Sequence, residues 1–190
     1  MTGSSSARWP VSSPALETVA AEIENHVGRS GWDRSPILFA LVRTAQFAAD
    51  EPETAARLGL DDPSGTRPEA LTPIEQEELP AGDLDEVLAQ IAWPDSVAGC
   101  GLSQEIVLLP PSAEDEISAA SVHRSLSAAL SHPARREARL VVAVLRDGTS
   151  AAVLRLRAAG TSDGTEAVDE LLTGADLAPN LVAALLATLR

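Results

Sequence analysis

The sequence predicts an α+β fold: an antiparallel or mixed sheet of about four strands, with helices packed mainly on one face. Three observations point there. Leu16, Val19, Ala20, Ile23 and Val27 recur at helical spacing near the start. Two apolar runs, 138–146 and 149–157, are joined by Asp147-Gly148, a two-residue hairpin signal of the type I′ kind. Leu177, Leu181, Leu185 and Leu189 form a closing helical stripe. Runs of helices around a hairpin of strands suit a layer of helices on a sheet.

Residues 1–14 are rich in serine and read as a tail, and 15–190 as a single domain. Ser13-Pro14 supplies an N-cap and a first-turn proline for the opening helix. That helix ends at Gly28 and Gly31 and leaves Glu17, Glu24 and Asn25 outside. Ser35-Pro36 introduces six apolar residues, 37–42, which suit a strand covered on both faces; a helix running on into 44–49 competes. Capping-box spacings at Asp50…Glu53, Thr72…Glu75 and Asp83…Glu86 predict three short helices. A strand over 97–109 follows, then a helix within 112–131, and Gly160 to Thr165 form a loop. Asp176 is placed to cap the last helix. Pairing the hairpin through its turn matches Val142 with Val153. Val141, Ala143, Leu145, Ala152, Leu154 and Leu156 then face the core, and Leu140, Val142 and Val144 share the outer face with Arg146, Arg155 and Arg157. Trp32 and Trp93 should be substantially buried and Trp9 should not.

Composition removes several classes of chemistry. Net charge is −14, all 14 basic residues are arginine, and lysine and tyrosine are absent. No Schiff base to a cofactor aldehyde can form, no phosphate-loop lysine exists, and nucleic acid would be repelled. The single cysteine, Cys100, precludes an intrachain disulfide and suits a reducing, cytoplasmic setting. No apolar run approaches the length of a membrane span.

Candidate chemistry is sparse. His26 lies four residues after Glu22 and could pair with it on a solvated helix flank. His123 and His132 lack the spacing of a metal site. Cys100, between Gly99 and Gly101, reads as a small filler without a local cation to activate it. The acidic run from Glu75 to Glu86 reads as a solvated face. No hydrolase elbow or dinucleotide loop is present, so no catalytic residue, cofactor or metal is expected. Arginine is the exception: Arg135, Arg136 and Arg139 lead into the hairpin, and Arg146, Arg155 and Arg157 share its non-core side. Guanidinium groups grip carboxylates and phosphates in pairs of hydrogen bonds. The partners could be external, or internal such as Glu137 and the acidic helices.

Gly31-Trp32-Asp33, together with the stretches from Leu38 to Gln46, Ile91 to Leu102, His132 to Gly148 and Asp176 to Leu189, resemble an uncharacterised family of actinobacterial cytoplasmic proteins with no assigned activity. The resemblance runs from about Ala15 to the C-terminus. It implies a cytoplasmic, single-domain protein and brings no catalytic residues with it. More loosely, the architecture is similar to that of secretion chaperones, an analogy of fold alone.

The expected function is a non-enzymatic protein-interaction module, chaperone- or adaptor-like, that holds a protein partner or its own copy. The surface expected to do so is the sheet face bearing Arg139, Arg146, Arg155 and Arg157, or the edge of that sheet. The alternative is a binder of, or an enzyme acting on, a small anionic metabolite, with Arg139, Arg155 and Arg157 as anion clamps. Neither membrane nor nucleic acid is an expected partner.

Overall fold

The computed structural model describes residues 13–60, 68–80, 82–109, 135–158, 169–174 and 177–190. The region 112–131, the stretch from Gly160 to Thr165, and Trp9, His123, His132 and Asp176 lie outside the described residues.

Six strands form one antiparallel sheet: β1 (Ile37–Arg43), β2 (Leu71–Glu75), β3 (Gly99–Leu108), β4 (Arg136–Leu145), β5 (Ser150–Leu156) and β6 (Glu170–Thr173), in spatial order β2-β1-β3-β4-β5-β6. The α+β class therefore holds, but the sheet has six strands rather than about four, and every pairing is antiparallel. β6 escapes sequence reading because it is only four residues long. β2 escapes because Thr72 and Glu75 imitate a capping box; Thr72 instead pairs with Val42, and its hydroxyl lies 3.0 Å from that of Thr44. The two competing readings around residue 43 are both realised in succession, since β1 passes directly into a short helix, α2 (Thr44–Asp50). α3 (Pro52–Arg57) follows it.

Helices cover both faces of the sheet, not mainly one. On one side α1 (Pro14–Gly28) lays Leu16, Val19, Ala20, Ile23 and Val27 over Phe39, Leu41, Val141, Ala143, Ala151 and Val153. Its start is as expected: Ser13 caps it by accepting the Leu16 amide. On the other side α4 (Leu84–Leu88) and α5 (Pro179–Thr188) cover Leu102, Leu140, Val142, Val144 and Leu154 with Leu88, Leu185 and Leu189. Asp83 caps α4, as its spacing predicts. Because both faces are covered, the central strands are apolar almost continuously, and each fully buried aliphatic side chain contributes about 1.5–3 kcal/mol. Leu140, Val142 and Val144 are thus core residues, not the exposed side of the hairpin.

The hairpin register also departs from expectation, by one residue. Val142 pairs with Ala152, and Val144 with Ser150. A type I′ turn needs positive φ at both central residues, but only Gly148 has it (φ 88°), not Asp147. The Gly148 amide donates to the Leu145 carbonyl and Leu145 to Thr149, which makes a three-residue connection with a left-handed glycine. A one-residue slip reassigns faces along the hairpin. Leu154 and Leu156 therefore join Val142 on the α5 side, while Val141, Ala143, Val153 and Arg155 face α1. Trp32 and Trp93 are half-buried rather than substantially buried. Both lie outside the helices and strands, Trp32 between α1 and β1 and Trp93 between α4 and β3.

Two glycines in β3 set how closely the layers approach. A side chain at Gly99 would run into the Val144 carbonyl oxygen, and one at Gly101 would lie 3.1 Å from Ile23 Cδ1 of α1. Gly99→Ala is expected to lower stability by about 2 kcal/mol or more in urea unfolding, because backbone must move to admit the methyl group. Gly148→Ala, which adds strain but meets no neighbour, should cost about 1–2 kcal/mol. Equal effects would mean that β3 is not held at this spacing.

Candidate functional site

The described arginines of the hairpin divide into two groups. Arg139 on β4 and Arg155 on β5 are directly opposite each other, and Glu105 on β3 is opposite Arg139, so the three form one row across the sheet on the α1 side. Glu24 descends onto that row from α1. Although expected at the surface, Glu24 is only 1% exposed, as is Arg139. Its position explains this: it is four residues after Ala20 and three before Val27, inside the buried stripe.

Glu24 receives Arg155 through both carboxylate oxygens at 2.5 Å and lies 3.6 Å from Arg139. Two parallel hydrogen bonds between guanidinium fork and carboxylate are the strong geometry for such a pair. They also raise the Arg155 pKa above its ordinary value, with the hydrogen bond to Glu24 as the main cause. Arg139 donates to the Gly31 carbonyl and to Glu105, at 3.4 Å, while its Nε has no partner among the described residues. Glu105 in turn accepts the Asp33 and Arg34 amides at 2.9 and 3.2 Å. That carboxylate therefore holds a turn in which both Gly31 (φ 81°) and Asp33 (φ 66°) are left-handed. The turn lays Trp32 over Arg139, 4.5 Å from ring centre to guanidinium, and beside Arg157 at 5.3 Å. Arg157 pairs with Glu137 at 2.7 Å and with Asp33 at 3.4 Å, and its pKa is raised chiefly by the Glu137 hydrogen bond.

Arg146 belongs to a different assembly. It donates to the carbonyls of Val97 (2.8 Å), Pro94 (2.9 Å), Trp93 (3.2 Å) and Leu189, and so ties the hairpin turn to the end of α5. A cation is favoured at a helix C-terminus, where carbonyls lack helical partners. The Trp93 indole N–H donates to Thr188 Oγ1 at 3.0 Å nearby.

The structure thus brings Arg139, Arg155 and Arg157 together and sets Arg146 apart, each against acceptors of the chain itself. An incoming anion would have to displace Glu24 or Glu137 from Arg155 or Arg157. The hairpin pattern signalled this row of arginines. Glu24, Glu105 and Trp32 were not singled out with it, because they arrive from α1, β3 and a turn.

The remaining candidates are also resolved. His26 pairs with Glu75 of β2 at 2.9 Å and not with Glu22, and both partners are largely exposed. Cys100 is fully buried, with Sγ 3.7 Å from the Leu185 carbonyl and from Thr188 Oγ1. Burial pushes its thiol up to about 11.

At the sheet margin, β6 pairs only with β5 among the described residues. The Gly174 amide donates to Ala152, and antiparallel bonds alternate, so Leu171 and Thr173 turn their amides and carbonyls to the outer edge. All four β6 side chains are exposed, with Leu171 at 49% and Leu172 at 41%.

A model of one protein family, described as PPA1309-like protein, matches residues 16–190. No curated protein and no solved structure matches the chain. Among the described residues, no helix is long and apolar enough to cross a membrane.

Two outcomes follow from these contacts. Glu24→Gln leaves Arg139 buried beside an uncharged amide and should cost about 3–5 kcal/mol in urea unfolding. Asp33→Asn, which removes an exposed partner of Arg157, should change stability by less than about 1 kcal/mol. Comparable losses would show that Glu24 is not what holds α1 on the sheet. The second outcome concerns pH. An unfolded thiol ionises near pH 9 and the folded one near 11, so the folded state keeps its proton longer. Stability should therefore fall as pH rises from 9 to 11, by about 2–3 kcal/mol. Cys100→Ala should lack that part of the alkaline slope in parallel urea titrations.

Proposed function

The chain belongs to the PPA1309-like family, and we propose that it is a non-enzymatic protein-interaction module that receives an extended segment of a partner at the outer edge of β6. The observation that carries this reading is the state of that edge. Two amides and two carbonyls face outward along β6, flanked by Leu171 on the arginine-bearing face and Leu172 on the other. Sheet edges are ordinarily blunted by lysine, proline, bulges or covering elements, because an open edge is a template for another strand. β6 contains neither lysine nor proline, and a strand added there gains main-chain hydrogen bonds at once.

The arginine row supports this role from beneath. Arg155 lies directly opposite Leu171 and is held by Glu24, and Arg136 of β4 lies 3.7 Å from Glu170. The edge is therefore backed by a rigid, charge-matched sheet, and an added strand would meet a preformed surface, which lowers the ordering cost of association.

The test is a paired measurement on Leu171→Lys and Thr173→Pro. The first places a gatekeeper charge on the edge, and the second removes an outward amide that has no ladder partner among the described residues. Both should melt within about 2 °C of wild type, as surface changes do. Proteins captured by the wild-type chain in its own cells and identified by mass spectrometry should be lost from both variants. Unchanged capture by well-folded variants would refute the reading.

A further inference from the structure

We propose that a cleft beside β2, at the opposite margin of the sheet from β6, binds a small organic cation: an ammonium or guanidinium group on an aliphatic body. The cleft has a volume of about 720 Å³, within the range of small-molecule sites.

Three elements wall it, and local physics places each. Ala15, Val19 and Glu22 follow one another at four- and three-residue spacing, so they share one flank of α1. Leu58 and Leu60 come from the end of α3, where Gly59 (φ 70°) closes the helix. The Gly59 amide donates to the Ala56 carbonyl and the Leu60 amide to that of Ala55, a left-handed cap that fixes both leucines. The third wall is β2. The Thr44 amide donates to the Ala70 carbonyl and the Gln76 amide to the Leu38 carbonyl, so the even-numbered residues of this stretch face β1. Antiparallel bonds alternate, and Leu71 and Pro73 therefore turn their carbonyls away from β1, to the margin where the cleft lies. Proline is tolerated at 73 because its nitrogen, which carries no hydrogen, points outward too.

The polar lining is mostly acceptors. Glu22 and Glu69 border the cleft, and neither has a hydrogen-bond or ion-pair partner among the described residues. His26, one turn beyond Glu22 on α1, is engaged with Glu75 instead. Partial burial holds the Glu22 carboxyl above its ordinary value, and no neighbouring cation brings it down. Against these carboxylates and the two β2 carbonyls, the Leu71 amide is the one outward donor of Leu71 and Pro73. The Thr44 and Thr72 hydroxyls bond each other, and Thr18 donates to the Pro14 carbonyl. A ligand matched to this lining supplies donors and positive charge, whereas an anionic metabolite would be repelled. The remaining surface is aliphatic, and Leu58, at 58%, is the most exposed large apolar side chain among the described residues. An aliphatic body laid against Leu58, Leu60 and Val19 takes that surface out of water.

The experiment is a titration of the full chain with agmatine, which carries a guanidinium and an ammonium on a short alkyl body, followed through backbone amide chemical shifts. Neutral pentanediol and anionic glutarate are the comparisons. Agmatine should bind at least about tenfold more tightly than either, and its affinity should fall as salt is raised. The shifts should centre on Val19, Glu22, the turn at Gly59 and Leu71. Glu22→Gln and Glu69→Gln should each weaken agmatine at least about fivefold. Glu86→Gln removes the same charge from α4, on the other face of the sheet, and should change affinity less than about twofold. All three variants should melt within about 2 °C of wild type, as surface changes do. No saturable shift, or shifts spread over the acidic surface and weakened equally by Glu86→Gln, would overturn the site. Equal affinity for pentanediol would show that the carboxylates select nothing and would overturn the cation. Either failure leaves the reading of β6 standing, since the two margins share no residue.

Discussion

The arrangement of this protein depends on one buried interaction, the carboxylate of Glu24 set between the guanidinium groups of Arg139 and Arg155. A charge as buried as Arg139 is tolerated only when paired and hydrogen-bonded, and Glu24 cannot supply that pairing unless α1 lies across β4 and β5. The apolar stripe of α1 provides much of the free energy of that contact. The ion pair determines where along the sheet the stripe may rest, because sliding the helix by one turn, about 5.4 Å, would take Glu24 away from both arginines and leave its buried carboxylate unpaired. The turn after α1 follows from the same constraint: Glu105 holds its amides, Arg139 its Gly31 carbonyl, and Trp32 lies against the guanidinium groups of Arg139 and Arg157.

The opposite face is assembled with neutral acceptors. Arg146 gathers carbonyls from the Trp93–Pro94 turn and from the end of α5, and Thr188 links the Trp93 indole to the buried Cys100. Arginine thus does structural work on both sides of the sheet, by charge pairing in one place and by carbonyl capture in the other. The fork of a guanidinium suits both tasks better than an ammonium would, and this chain contains no lysine.

Those arginines are engaged internally, by carboxylates on one side of the sheet and by carbonyls on the other. The ion-pair row ends at β5, and β6 continues the sheet by one short strand whose side chains are all exposed. Among the described residues the outer edge of β6 has no ladder partner, and Leu171 and Leu172 are exposed along it.

Much of the local structure was legible in the residues. Ser13-Pro14 and the stripe from Leu16 to Val27 specify α1 by themselves, Asp83 specifies the start of α4, and the apolar runs of β1, β4 and β5 announce strands, because caps and periodicity are local physics. The six apolar residues 37–42 even announced a strand covered on both sides. The row of hairpin arginines was visible too, but not its meaning. Whether Arg155 points to solvent or to Glu24 depends on a one-residue register set by the φ of Gly148, and on a helix more than a hundred residues earlier in the chain. Glu24 looks like a surface carboxylate until two arginines are found beneath it, and Thr72 looks like a helix cap until β1 lies alongside. Composition and periodicity therefore determined which segments are helix or strand and which chemistries are impossible. Only the tertiary structure decided which face each strand presents and which charges pair, since those are properties of pairs of segments and no single segment contains them.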